Sequence, residues 1–167
     1  MSPEQYLERV ASDKEHTQVT APSVKDFVEH FHKIGRNCSH IICICAAGNL
    51  SKAWQNAHEA AEVVRGKLEI TVMDSLTTST GLGLLAEAAG DVAATGASAD
   101  EVTHAVRVRI PNIYAIFFLE TMKYLQHTSR VDTSQATLAA MLGIKPIIAL
   151  ESGDLIPFEK VRTRTQA

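Results

Sequence analysis

Residues 41–46, IICICA, are followed by Ala47-Gly48-Asn49 and then by Leu50, Trp54, Ala57, Ala61 and Val64 at helical spacing. This stretch constrains the fold more than any other. An unbroken apolar run of that length, rich in β-branched residues, reads as a strand buried on both faces, as in a parallel sheet. The apolar spacing behind it reads as an amphipathic helix starting near Leu50. The turn between them lies at the carboxyl end of a strand and the amino end of a helix, where open α/β sheets place their ligands. Free N–H groups and the helix dipole at such a point favour an anionic group, a phosphate or a carboxylate.

The segments around this unit supply its neighbours. Ser2-Pro3-Glu4-Gln5 is a helix start, with an N-cap serine and proline at the first helical position. Ser23 and Asp26 have capping-box spacing ahead of the stripe Val24, Phe27, Val28, Phe31 and Ile34, which Gly35 and Asn37 end. Residues 68–73, LEITVM, form a second strand, closed by Asp74-Ser75. Residues 77–83 lead into an alanine-rich helix through about Ala94, and Ser98 and Glu101 cap another that Pro111 breaks. The alternation of helix and strand gives an α/β fold with a mainly parallel sheet in a three-layer lobe. Beyond Pro111 the pattern changes: a strand over 113–119, a short helix over 120–126, a polar connector, a helix over 136–142, then two strands around Ser152-Gly153, a hairpin signal. The expected division is a lobe over 1–111 and the beginning of a second α/β lobe over 112–167.

Composition excludes several classes. With 46% hydrophobic and 21% charged residues, the chain can bury a core. A net charge of -3 with thinly spread basic residues argues against nucleic acid and anionic membrane surfaces. No apolar run approaches the roughly 18 residues of a membrane span, and the charged amino terminus is not a secretory signal. The three cysteines, Cys38, Cys43 and Cys45, read as reduced thiols in a cytoplasmic protein.

Candidate chemistry is sparse. His30 and His32 are two apart on a helix and do not face each other, so they make no metal pair. Cys43 and Cys45 share one strand face, where buried small hydrophobes are the commoner role and a metal or redox role the sharper one. Residues 77–83 lack the lysine of a P-loop and the spacing of a dinucleotide-binding loop. No nucleophile–base pair is legible, so catalytic residues, metals and cofactors are not expected. An enzyme working through the loop 74–83, on phosphate esters or acyl groups, is the remaining catalytic alternative.

Several segments together resemble the DegV family of bacterial fatty-acid-binding proteins. Thr20-Ala21-Pro22-Ser23 before a Phe-bearing helix is similar to its Thr-Ser-Gln-Pro-Ser segment. Residues 50–57, LSKAWQNA, are similar to the end of its Ser-Ser-x-Leu-Ser-Gly-Thr-Tyr-Gln-Ser-Ala segment. Val72-Met73-Asp74-Ser75 with Gly81-Leu82-Gly83, then Tyr124-Leu125 with Arg130, Gly143-Ile144-Lys145-Pro146-Ile147 and finally Lys160-Val161-Arg162-Thr163-Arg164 follow in the family's order. The resemblance implies a two-lobed, non-catalytic carrier holding a long-chain fatty acid between its lobes and handing it to a fatty acid kinase subunit. Burying an acyl chain gains about 0.8 kcal/mol per methylene, and its carboxylate must then be hydrogen-bonded.

Carried onto this sequence, the fatty-acid-binding positions are Thr20, Ala47, Gly48, Ser51 and Arg130. The sequence departs from the family at several of them. Ala47-Gly48 stands where the family has Ser-Ser, Val19-Thr20-Ala21-Pro22 where it has Thr-Ser-Gln-Pro, Lys52-Ala53 where it has Gly-Thr, and Thr128-Ser129 where it has Gly-Gly. Losing two charge-assisted hydrogen bonds would cost about 3–6 kcal/mol, roughly a hundred- to ten-thousandfold in affinity. The alternative is therefore a ligand-free interaction or regulatory subunit that keeps the fold. The resemblance also implies that the chain starts after the family's first strand and stops inside its second lobe. An unpaired sheet edge of that kind invites pairing with another chain, such as a second copy in a homodimer.

Overall fold

The computed structural model describes residues 1–12, 19–119 and 145–161. The expected helices over 120–126 and 136–142, and Arg130, lie outside them. The chain divides into two compact units: a larger one of residues 21–116 with 149–156, and a smaller one of 1–20, 117–148 and 157–167.

In the larger unit, α2 (Val24–Ile34), β1 (His40–Cys45), α3 (Ala53–Val63), β2 (Glu69–Asp74), α4 (Ser79–Ala94) and α5 (Ala99–Arg107) follow in order, α1 (Pro3–Ser12) having preceded them in the smaller unit. β1 and β2 pair in parallel, Ile41 opposite Ile70 and Cys45 opposite Asp74. Side chains on a strand alternate between faces, and the packing follows that period. Ile41, Cys43 and Cys45 with Ile70 and Val72 pack against Phe31 of α2 and Ala57 and Ala60 of α3. Ile42, Ile44 and Met73 pack against Leu85 and Ala89 of α4 and Val102 and Val106 of α5. Two helices cover each face of the strands, which gives the expected three layers and explains why residues 41–46 could be apolar without interruption. Leu85 and Val106 are fully buried, each worth about 1.5–3 kcal/mol over exposure.

The helix ends follow the sequence signals closely. The Ser23 hydroxyl accepts from the Asp26 N–H at 3.2 Å while the Asp26 carboxylate accepts from the Ser23 N–H at 2.8 Å. Ser98 and Glu101 repeat the arrangement, the hydroxyl accepting at 3.3 Å and the carboxylate at 2.7 Å. Gly35 ends α2 in right-handed backbone, so it is not there for conformational freedom; a Cβ at Gly35 would collide with the Leu68 side chain.

Ile34, the last residue of α2 as expected, is half exposed. Two boundaries differ from expectation. α3 starts at Ala53 rather than near Leu50, since Leu50 and Ser51 both donate to the Ala47 carbonyl and spend residues 48–52 on a turn. A short 3-10 helix at Ile110–Asn112 precedes β3 (Ala115–Phe118). The Ile113 N–H closes that helix on the Ile110 carbonyl at 3.2 Å, so the strand begins two residues after the expected 113.

β3, β4 (Lys145–Glu151) and β5 (Asp154–Val161) form a second sheet in the order β3-β4-β5. Ser152 (φ 51°) and Gly153 (φ 88°) both take left-handed backbone, the requirement of a two-residue type I′ hairpin. In the smaller unit, Ser2 and Gln5 cap α1 reciprocally, and the Lys145 ammonium lies 5.9 Å from the Phe118 ring. No helix among the described residues is long and apolar enough to cross a membrane.

Candidate functional site

The carboxyl ends of β1 and β2 run on into two segments laced together by hydrogen bonds. Ser75 N–H donates to the Cys45 carbonyl at 3.0 Å, and Ala47 N–H donates to the Thr77 carbonyl at 2.8 Å. The Ser75 hydroxyl, buried, donates to the Thr77 carbonyl at 3.1 Å and accepts from the Thr77 N–H at 3.3 Å. Asp74 closes the arrangement. Its Oδ2 accepts from the Gly48 N–H at 3.1 Å and its Oδ1 from the Leu76 N–H at 2.9 Å. The β1–α3 turn is thus held on the β2–α4 loop through one carboxylate.

Of the residues expected to meet a ligand, Ala47, Gly48 and Ser51 share this turn. Ala47 is fully buried, and its methyl lies 3.6 Å from where a Cβ on Gly153 would stand, so the hairpin turn covers it. Gly48 spends its N–H on Asp74, and a Cβ there would stand 2.9 Å from Asp74 Oδ2 and 3.4 Å from the Trp54 ring. Ser51 is half-buried; its hydroxyl accepts from the Ala53 N–H at 3.1 Å and keeps its own proton to donate. Thr20 is exposed. Arg130 lies outside the described residues. The Asn49 side chain donates to Asp154 at 2.8 Å, fixing the outer edge of the turn to the hairpin, and Asn56 on α3 donates to the Pro22 carbonyl at 2.7 Å.

Two residues matter here that spacing alone did not single out. Asp74 is one; its pairing opposite Cys45 puts it beside the turn. Lys52 is the other. It is the N-cap of α3, is exposed, and provides no side-chain cap. N-caps favour Ser, Thr, Asp and Asn, and the positive end of the helix dipole disfavours a cation. A lysine there breaks both preferences. An anion at the amino end of α3 would offset the Lys52 charge there.

A hollow of about 800 Å³ opens at the other end of the same strands, lined by charged side chains including His40, Arg65, Lys67 and Glu69. Among the described residues, no three His, Cys, Asp or Glu side chains converge as metal ligands would.

The larger unit is thus a three-layer α/β unit whose β1–α3 turn is pinned to the β2–α4 loop at the carboxyl edge of its parallel strands. The sequence profile of the DegV family matches residues 1–167, and the chain belongs to that family. A DegV domain-containing protein of Caldanaerobacter subterraneus is 30% identical over 164 residues, covering 98% of this chain and 58% of the relative. A DegV lipid-binding protein of Thermotoga maritima superposes with a TM-score of 0.80 at 26% identity, over 99% of this chain and 58% of that one. The fatty acid kinase B3 protein of Streptococcus pneumoniae, loaded with linoleic acid, superposes at 0.81 with 23% identity, over 98% and 58%. The chain therefore spans little more than half the length of the relatives it matches.

Proposed function

We propose that this chain is a non-catalytic, cytoplasmic binding module for a long-chain fatty acid, whose carboxylate rests at the amino end of α3. The observation that carries the reading is Lys52 at a helix N-terminus that its own side chain does not cap, next to a Ser51 hydroxyl with a proton to give. The acid head is held by the Ser51 O–H, the N–H groups of residues 54 and 55 in the first turn of α3 and the Lys52 ammonium. Ala47 and Gly48 form the floor of the turn and offer no hydroxyl. Thr20 and Arg130 complete the set carried over from the family. Lys52 supplies charge in place of the absent serines. A fatty acid kinase subunit is the proposed partner, because a structural neighbour is a fatty acid kinase B3 protein. Residues 1–111 are proposed as the ligand-presenting lobe and 112–167 as part of the second.

Native mass spectrometry of gently purified protein tests this reading. A co-purified acyl species is expected. Calorimetric titration with oleate should then show weakening by about tenfold or more for Ser51→Ala and for Lys52→Ala, the loss of one bond to a charged group in each case. An empty protein that also gives no heat with oleate sinks the carrier reading. That result would favour the second reading, a ligand-free interaction subunit, for which the Asp74 carboxylate already seated on the Gly48 N–H speaks.

A further inference from the structure

We propose that residues 77–81, at the amino end of α4, bind a phosphate group, free or carried on a small ester. α4 is a helix of 16 residues whose first turn carries no acidic side chain and whose N-cap, Thr78, makes no side-chain cap bond. The Leu82 N–H is the first to find an intrahelical acceptor, the Thr78 carbonyl at 3.4 Å, which leaves the N–H groups of 79, 80 and 81 without one. These three are not arranged as at an ordinary helix start. Ser79 takes left-handed backbone (φ 53°), and Thr80 continues in the helix. Residues of opposite hand in succession turn consecutive N–H groups toward one point, the nest that holds anions in phosphate loops, and the helix dipole adds to it.

A side chain points the same way. Thr77 is 3% exposed, yet its hydroxyl has no hydrogen-bond partner. The Thr77 backbone is fixed by the Ser75 hydroxyl and the Ala47 N–H. Its side chain faces the first turn of α4, where a Cβ on Gly81 would stand 2.6 Å from Oγ1. Glycine is what lets the hydroxyl lie so close to the third residue of the nest. A buried hydroxyl without a partner costs free energy, and a group left so in a folded protein is commonly completed by a bound ion or water.

The donors suit a tetrahedral oxyanion better than a carboxylate. The three N–H groups are accompanied by the hydroxyls of Thr77, Thr78, Ser79 and Thr80. A carboxylate has two oxygens to offer so many donors; a phosphate has more. Ser79 and Thr80 are exposed and admit the anion, and Thr77 donates to the bound oxygen nearest Gly81. Residues 75–83 carry no charged side chain, so the site works through oriented dipoles and binds without a lysine. The competing account is packing alone: Gly81 makes room for Thr77, and the hydroxyl simply stays unsatisfied.

The test titrates the isotope-labelled full chain with inorganic phosphate, against chloride at matched ionic strength, and follows the amide resonances. Saturable shifts are expected at residues 78–82, with little response to acetate. Methyl phosphate that reproduces them assigns the site to esters as well as to the free ion; shifts with inorganic phosphate alone assign it to the ion. Thr77→Val keeps the shape and removes the hydroxyl. It should weaken phosphate binding about tenfold without lowering the melting temperature in chloride, because the group removed was unpaired. Thr80→Glu, at an exposed position, should abolish the shifts by seating its own carboxylate at the first turn. The proposal is overturned if residues 78–82 do not respond, if acetate matches phosphate, or if Thr77→Val binds phosphate as well as the unaltered protein does. A response confined to residues 51–55 also overturns it, as binding at α3. None of these outcomes bears on fatty acid binding.

Discussion

Asp74 sits where two chain segments leave parallel strands, and it accepts one backbone N–H from each side: Gly48 across the turn and Leu76 along its own loop. A hydrogen bond to a charged acceptor is worth about 1.5–3 kcal/mol, and the half-buried setting of this residue tempers that by solvent screening. Asp74→Ala should lower stability by about 2 kcal/mol in urea unfolding, and Asp74→Asn, which keeps one acceptor oxygen, by clearly less. Equal stability for all three proteins would show that the carboxylate does not hold the turn. The same geometry bears on what aligned letters can tell. The resemblance put Ala47 and Gly48 at the positions of the family's serines. What the letters hid was orientation: a hydroxyl at 47 would point into a covered space, and one at 48 would meet Asp74. Lys52 was visible only as a departure from the family, because its meaning depends on where α3 begins.

At the level of elements, local signals were read well where the cause is local. Ser23 with Asp26 and Ser98 with Glu101 became capping boxes because the bonds join residues three apart. The start of α3 was misplaced because Leu50 continues the apolar spacing while the chain is still turning; two N–H groups converging on the Ala47 carbonyl decide the matter, and spacing cannot see them. Gly35 was legible as a stop, but its need for space against Leu68 was not. The caps carry a pH prediction. Asp26 is held below the ordinary carboxylate range by bonds from the Ser23 side chain and backbone, and Glu101 by the Ser98 backbone and side chain. The folded state therefore binds these protons less readily than the unfolded state. Their contribution is complete above the unfolded values, near pH 4, and is lost as pH falls through the lower folded ones. Asp26→Asn with Glu101→Gln should melt below the unaltered protein at pH 7, and the gap should shrink steadily below about pH 4. A gap independent of pH would assign the effect to something other than these ionised caps.

For the molecule as a whole, the α/β class and the hairpin were legible because apolar period and turn chemistry agree over long stretches, as at 41–46 and Ser152-Gly153. The division into units draws on residues distant in sequence, such as 149–156 joining 21–116, and no local pattern encodes that. Ligand linkage gives the prediction at this scale. Oleate at about 100 times its dissociation constant should add about 2.7 kcal/mol to the folded state and raise the melting temperature by about 5–10 °C. Lys52→Ala at the same oleate concentration should recover only part of that rise. A melting curve that oleate leaves unmoved would remove the carrier reading.

Trp54 is the chain's one tryptophan. It lies against Gly48 in the turn and stacks on His58 with ring centroids 6.0 Å apart. Its fluorescence is thus a native optical gauge of that corner. Excited near the red edge of protein absorption, an unlabelled sample would register changes of polarity or geometry beside β1 in real time, with no competing indole signal to subtract.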